Sequence, residues 1–209
     1  MKLYDSFRAP NPRRVRWFLA EKGNPAGVEV INLDVFKGEH RTESFLSKAG
    51  LPNVPALEID DETTITESVA ICRYLESVYP EPNMFGRDPR ETAIIEMWAR
   101  RAEMMLATPL MMTVRHSHPA LAALEKQIPE IAETNRAGAT RSLKVFDRRL
   151  GESEFIAADR VTIADILAAC SIDFSRMAKF AVPDEMANVK RWYAAMMARP
   201  AALAGTVAA

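Results

Sequence analysis

The sequence predicts a chain in two parts: an α/β unit built on a mixed four-stranded sheet, followed by an all-α helical bundle. Three observations carry this. Short strand-like and helix-like segments alternate over the first 80 or so residues. Beyond about residue 90 the apolar positions recur only at helical spacing. Between the two lies a proline-broken stretch, Tyr79-Pro80-Glu81-Pro82-Asn83 and then Arg87-Asp88-Pro89, which denies helix continuation. The expected boundaries are therefore residues 1–80 for the first domain, 81–89 for the linker and 90–209 for the helical domain.

Each element has its own signal. Leu3 and Tyr4 lie in a short first strand, and residues 12–22 place Val15, Phe18 and Leu19 at helical spacing before Gly23 ends the helix. Val28 to Leu33 alternates as a strand, a second helix fits 42–49, and Ala56-Leu57-Glu58-Ile59 resumes strand character. Asp60-Asp61-Glu62 turns the chain into Thr63-Thr64-Ile65, and residues 67–78 form a third helix. The order βαβ, α, ββα combines a parallel pair bridged by a crossover helix with an antiparallel pair, and a small unit of this kind resembles thioredoxin. The second domain reads as helices over about 90–115, 120–149, 163–179 and 184–198, with an Ala-rich tail after Pro200 that is expected to be poorly ordered.

Composition narrows the function. The charge balance is 27 basic against 28 acidic residues, so no net field points to nucleic acid or an anionic membrane. A small molecule or a protein partner is the expectation. The two cysteines, Cys72 and Cys170, lie in helical stretches without CxxC spacing, which argues against a disulfide framework. His40, His116 and His118 form no ligand cluster with cysteines or carboxylates, so no metal is expected. Met1-Lys2-Leu3-Tyr4-Asp5 turns polar at once, unlike a signal peptide, and no run approaches the roughly 20 apolar residues of a membrane helix. The expected location is cytoplasmic.

Four local patterns carry chemistry. In the loop from Ser6 to Arg16, Asn11 followed by Pro12 suits an N-cap with proline at the first helical position. A helix start at a strand's C-terminal edge also stabilises an anion, including a thiolate, and the Asn11 amide adds a donor; the same residues serve equally as a plain cap. In Leu51-Pro52-Asn53-Val54-Pro55-Ala56-Leu57, Pro55 immediately precedes a strand, and an outward-facing Val54 main chain would let an extended peptide ligand pair as an added strand; an ordinary loop has the same residues. Glu67-Ser68 opens a helix with a carboxylate for an amino group and a hydroxyl, beside free N–H groups, for a carboxylate; alternatively it is another cap. Thr162-Ile163-Ala164-Asp165 is a capping box, with Val161 and Ile166 as a hydrophobic staple, and is structural.

Taken in order, these patterns resemble the cytosolic glutathione transferase family over essentially the whole chain. The Val54-Pro55 loop resembles the family's turn before its third strand, Glu67-Ser68 its glutamyl-binding pair, and the Thr162–Asp165 box the folding motif of its helical domain. The resemblance implies a transferase that favours the glutathione thiolate for attack on a small electrophile. A glutathione-dependent disulfide reductase and a catalytically silent glutathione-binding protein are the alternatives, and a homodimer is implied. Glutathione, as co-substrate, would lie along the first domain with its cysteinyl backbone on Val54 and its glutamyl end at Glu67 and Ser68. His40 would touch the glycyl end, with Lys37 and Arg41 as neighbouring alternatives, and Arg8, Pro10, Asn53 and Pro55 complete the contacts. At the thiol, Ala9 stands where several classes carry a hydroxyl. Asn11 matches the asparagine that nu-class members place near the sulfur, and is the first candidate to hold the thiolate, with Ser6 next and Tyr4 and Arg8 behind. Gly50-Leu51-Pro52-Asn53 also departs from the family's usual Asn-Pro-x-Gly. The electrophile pocket implied between the domains would use Met104, Met105, Pro109, Met112 and His116, while Arg100, Arg101 and Glu103 would face a partner subunit and Trp98 and Trp192 would pack.

Overall fold

The computed structural model describes residues 1–203; most of the Ala-rich tail lies outside the described residues. The chain divides into two compact units, Met1–Asn83 with the stretch from Pro200 on, and Met84–Arg199.

The first unit is a four-stranded mixed sheet in the order β2-β1-β3-β4, formed by β1 (Lys2–Asp5), β2 (Glu29–Asn32), β3 (Ala56–Glu58) and β4 (Thr64–Thr66). β1 runs parallel to β2, as the crossover helix between them implies, and β3 is antiparallel to β4, as their short turn implies; the structure adds the antiparallel pairing of β1 with β3. Helices α1 (Pro10–Glu21) and α2 (Glu43–Ala49) connect strands, α3 (Ser68–Val78) follows β4, and α9 (Pro200–Leu203) packs on α1. The core is apolar: Leu3, Trp17, Phe18, Leu57, Ile71 and Leu75 are fully buried.

One local expectation fails at α1. The helix starts at Pro10, with Ala9 as the N-cap at φ −91° and ψ 140°, so Asn11 sits inside the first turn and does not cap it. Pro10 explains the shift. Its fixed φ and missing N–H suit the first helical position, so the first of the two prolines starts the helix. A 2.8 Å bond from Ala9 N–H to the Ser6 carbonyl closes the preceding turn.

The second unit is helical: α4 (Pro89–Arg101), α5 (Thr108–Arg115), α6 (Pro129–Glu152), α7 (Ile163–Ser175) and α8 (Ala187–Met197). α7 is buried almost all round and forms the centre of the bundle, as an apolar helix must. The segment expected as one helix over 90–115 contains a π-helical turn, Ala102–Ala107, between α4 and α5. The helix expected from 120 starts only at Pro129, because the residue before a proline is pushed out of the helical region; Ile128 stands at φ −127° and ψ 103°. Side chains satisfy the backbone of that loop: Gln127 Nε2 donates to the Arg115 and His118 carbonyls, and His116 Nδ1 accepts from Ile128 N–H. Trp98 is buried edge-on to Phe146 at 5.7 Å. Among the described residues no helix is long and apolar enough to cross a membrane.

Candidate functional site

Strand registers bring the candidate segments together. Tyr4 lies opposite Ala56 and Ala56 opposite Thr66, so the residues after β1, before β3 and after β4 all leave the sheet at the same end. Asp5 pairs with Asn32 in the parallel pair, so the chain after β2 leaves at that end too. Four segments therefore meet there: the Ser6–Asn11 loop, the stretch from Leu33 to His40, Asn53-Val54-Pro55, and Glu67-Ser68. A sheet end at which strands deliver several loops is a common place for a ligand.

In the first segment Ser6 is buried, while Phe7 and Arg8 are exposed. Phe7 N–H donates to Asn32 Oδ1 at 2.9 Å, the Phe7 carbonyl accepts from Arg16 Nη2 at 3.1 Å, and the Arg16 guanidinium lies over the Phe7 ring at 5.2 Å. Arg16 is itself ion-paired with the fully buried Asp5. Burial pushes the Asp5 carboxyl above the usual carboxylate range, and the Arg16 charge opposes this. The loop is thus fixed at both ends. On α1, Asn11 Oδ1 is buried and accepts no hydrogen bond. An amide at the first turn presents either its oxygen or its N–H₂ group after a half-turn of its last torsion, so the position offers an acceptor or a donor.

Val54 is half-buried, lies just before β3 and outside the paired registers, and is joined to the buried Pro55 by a cis peptide bond. Asn53 is exposed. Glu67 is exposed, with φ 67° and ψ 117°, and it precedes the first residue of α3. Ser68 is buried and its Oγ accepts from Arg14 Nη1 at 3.3 Å. His40 is buried in a short 3₁₀ turn that follows the left-handed Gly38. Its Nε2 accepts from Arg41 Nε at 3.4 Å, which leaves the ring proton on Nδ1; Nδ1 is buried without a partner. Burial, aided by the Arg41 charge, holds the His40 pKa below its ordinary value, so the ring is neutral at pH 7.

Within the helical unit, Met104 is 61% exposed and accepts from Arg100 Nη2 at 3.7 Å, Met105, Pro109 and Met112 are half-buried, and His116 is buried. Arg100 pairs with Glu103 along its own helix, and Arg101 lies over the Trp98 ring at 4.7 Å. Trp192 does more than pack: its Nε1–H donates to Asp165 at 2.9 Å. Sequence reasoning missed Arg14 and the Asp5–Arg16 pair. Their signal was present, since Arg13, Arg14 and Arg16 interrupt the apolar face of α1, where a charge stays buried only if it is partnered. Among the described residues no cluster of histidine, cysteine or carboxylate groups could hold a metal ion.

Residues 1–77 match the model of the glutathione S-transferase N-terminal domain, and residues 102–200 that of the C-terminal domain. The chain is 34% identical to glutathione S-transferase 2 of Saccharomyces cerevisiae over 96% of its own length and 87% of that protein's. The crystal structure of Gtt2 from Saccharomyces cerevisiae superposes with a TM-score of 0.90 at 34% identity, covering 98% of this chain and 100% of that one. A glutathione S-transferase domain-containing protein from Marinobacter aquaeolei VT8 does so with a TM-score of 0.88 at 37% identity, covering 96% and 99%. Both halves match in order and the relatives align end to end: the chain belongs to the glutathione S-transferase family of enzymes.

Proposed function

We propose that the chain conjugates reduced glutathione to small electrophiles, with the tripeptide laid across the sheet end and Asn11 holding its sulfur. The observation that carries this is the buried, unpartnered Oδ1 of the half-buried Asn11 in the first turn of α1, at the end of the sheet where Val54 and Glu67-Ser68 also emerge. The cysteinyl main chain pairs with Val54, the glutamyl amino group with Glu67, and the glutamyl carboxylate with Ser68 and the first N–H groups of α3. His40 Nδ1–H and Asn53 take the glycyl carboxylate. The Asn11 N–H₂ group and the N-terminal end of α1 then favour the thiolate over the thiol, whose free pKa is about 8.5. Once sulfur and electrophile are held together, proximity and these fixed donors supply the rate.

The test is Asn11→Ala, read by the ultraviolet absorbance of the bound thiolate against pH. The thiol pKa is expected to rise by about one unit, the order of a single charge-assisted hydrogen bond. An unchanged pKa in a folded variant removes Asn11 from this role. Turnover of a small disulfide on the same sample separates reduction from conjugation. Neither cysteine of the chain takes part, since Cys72 and Cys170 are both fully buried.

A further inference from the structure

The first unit holds a concavity of about 270 Å³, lined by Ser6, Phe7, Arg8, Asn32, Leu33, Asp34 and Phe36. Its walls are unusual for a surface: Phe7 is 43% and Phe36 46% exposed, two large aromatic faces left to solvent on neighbouring segments. The charged residues of the lining differ in their state. The Asp34 carboxylate is occupied, with Oδ1 accepting from Phe36 and Lys37 N–H and Oδ2 3.6 Å from Lys37 Nζ. Its own N–H is taken by Glu39. Arg8, by contrast, has no carboxylate partner among the described residues. The loop that carries it is fixed by Asn32, Arg16 and the Ala9-to-Ser6 bond, so the guanidinium is presented from a rigid base.

We propose that this pocket takes the electrophile and that Arg8 makes it selective for planar aromatic electrophiles bearing a carboxylate. The inference rests on the transferase reading, because Ser6 lies both in this lining and in the loop that leads to Asn11. The two phenylalanine rings sandwich or edge a flat apolar body of the size the cavity admits. Arg8 supplies a planar fork of donors matched to a carboxylate. For an aryl chloride the glutathione sulfur forms a bond to the ring carbon, and the carbon–chlorine bond breaks. Chloride leaves with the electron pair and the thiol proton passes to solvent.

The experiment compares 4-chloro-3,5-dinitrobenzoate with 4-chloro-3,5-dinitrobenzamide, a charged and neutral pair of one shape. Each kcat/KM is divided by the uncatalysed rate of that compound with glutathione. The wild-type chain is expected to prefer the benzoate about tenfold, the order of one hydrogen bond to a charged group at a partly exposed site. Arg8→Gln is expected to abolish that preference and Arg8→Lys to keep part of it. Arg8 is exposed, so neither substitution threatens the fold. Equal use of the two compounds by the wild-type chain overturns the proposal. So does an Arg8→Gln variant that loses both activities in proportion while its glutathione KM rises, which would place Arg8 on glutathione. Absence of turnover with either compound counts against the transferase reading. Calorimetric titration with the same pair then decides the pocket, and equal affinities, or affinities indifferent to Arg8→Gln, overturn it.

Discussion

At Glu67 the backbone is strained. A non-glycine residue at φ 67° and ψ 117° lies outside the regions L-residues favour, and such positions cost about 1–3 kcal/mol. Beside it, Ser68 Oγ spends one lone pair on Arg14, which leaves its own proton free to donate to an anion. Glu67→Gly removes both the carboxylate and the steric conflict, whereas Glu67→Ala removes the carboxylate alone. The glycine variant is therefore expected to be more stable than the alanine variant by about 1 kcal/mol in urea unfolding. Both are expected to raise the KM for glutathione. A glycine variant no more stable than the alanine one would show that the backbone here is unstrained, and an unmoved KM in both would take Glu67 away from the ligand.

At the level of elements, α7 shows how much one cap can organise. Asp165 is fully buried and accepts four hydrogen bonds, from Ile156 N–H, Thr162 N–H, Thr162 Oγ1 and Trp192 Nε1. Burial pushes its carboxyl up and the four donors oppose this. Asp165→Asn exchanges one acceptor oxygen for an N–H₂ group that faces donors, so at least one buried partner is left unsatisfied. A loss of about 2–4 kcal/mol follows from the missing cap together with that buried group, measured as a lower urea midpoint. A loss under about 1 kcal/mol would mean that the site relaxes around the amide.

The cap was legible because its residues are three apart in sequence, whereas its tie to Trp192 was not, because that partner is 27 residues away. The same distinction runs through the chain. The two halves, the parallel β1–β2 pair and the antiparallel β3–β4 pair follow from local patterns, whereas the β1–β3 pairing joins distant segments. The start of α1 and the late start of α6 turned on which of two prolines, or which proline-preceding residue, ends the extended stretch. The π-helical turn at Ala102–Ala107 has no local signature in the spacing of its apolar residues. The burial of Arg14 and Arg16 was signalled on α1, but their partners were not, because Ser68 and Asp5 come from other elements.

For the molecule as a whole, acid is the condition that reaches both units. In the first, Glu58 on β3 is held by Lys48, by Lys2 at 2.9 Å and by the Tyr4 hydroxyl at 2.9 Å, and these hydrogen bonds pull its pKa down to about 2. In the second, Glu91 accepts from both terminal nitrogens of Arg160, at 2.6 and 2.9 Å, and from Arg87 N–H at 2.8 Å; its pKa also falls to about 2. Both values lie below the 4.5 of an unperturbed glutamate, so the unfolded chain binds more protons than the folded one between pH 4.5 and 2. The stability these carboxylates contribute is complete above pH 4.5 and is lost as pH falls through about 2. The urea midpoint is therefore expected to fall over that window. Glu58→Gln and Glu91→Gln should each start from a lower midpoint at pH 6 and show a shallower fall, because each removes one proton-linked group. If both variants keep the wild-type slope, the acid sensitivity lies in other carboxylates. If only one flattens it, the unit carrying that residue is the one that yields first.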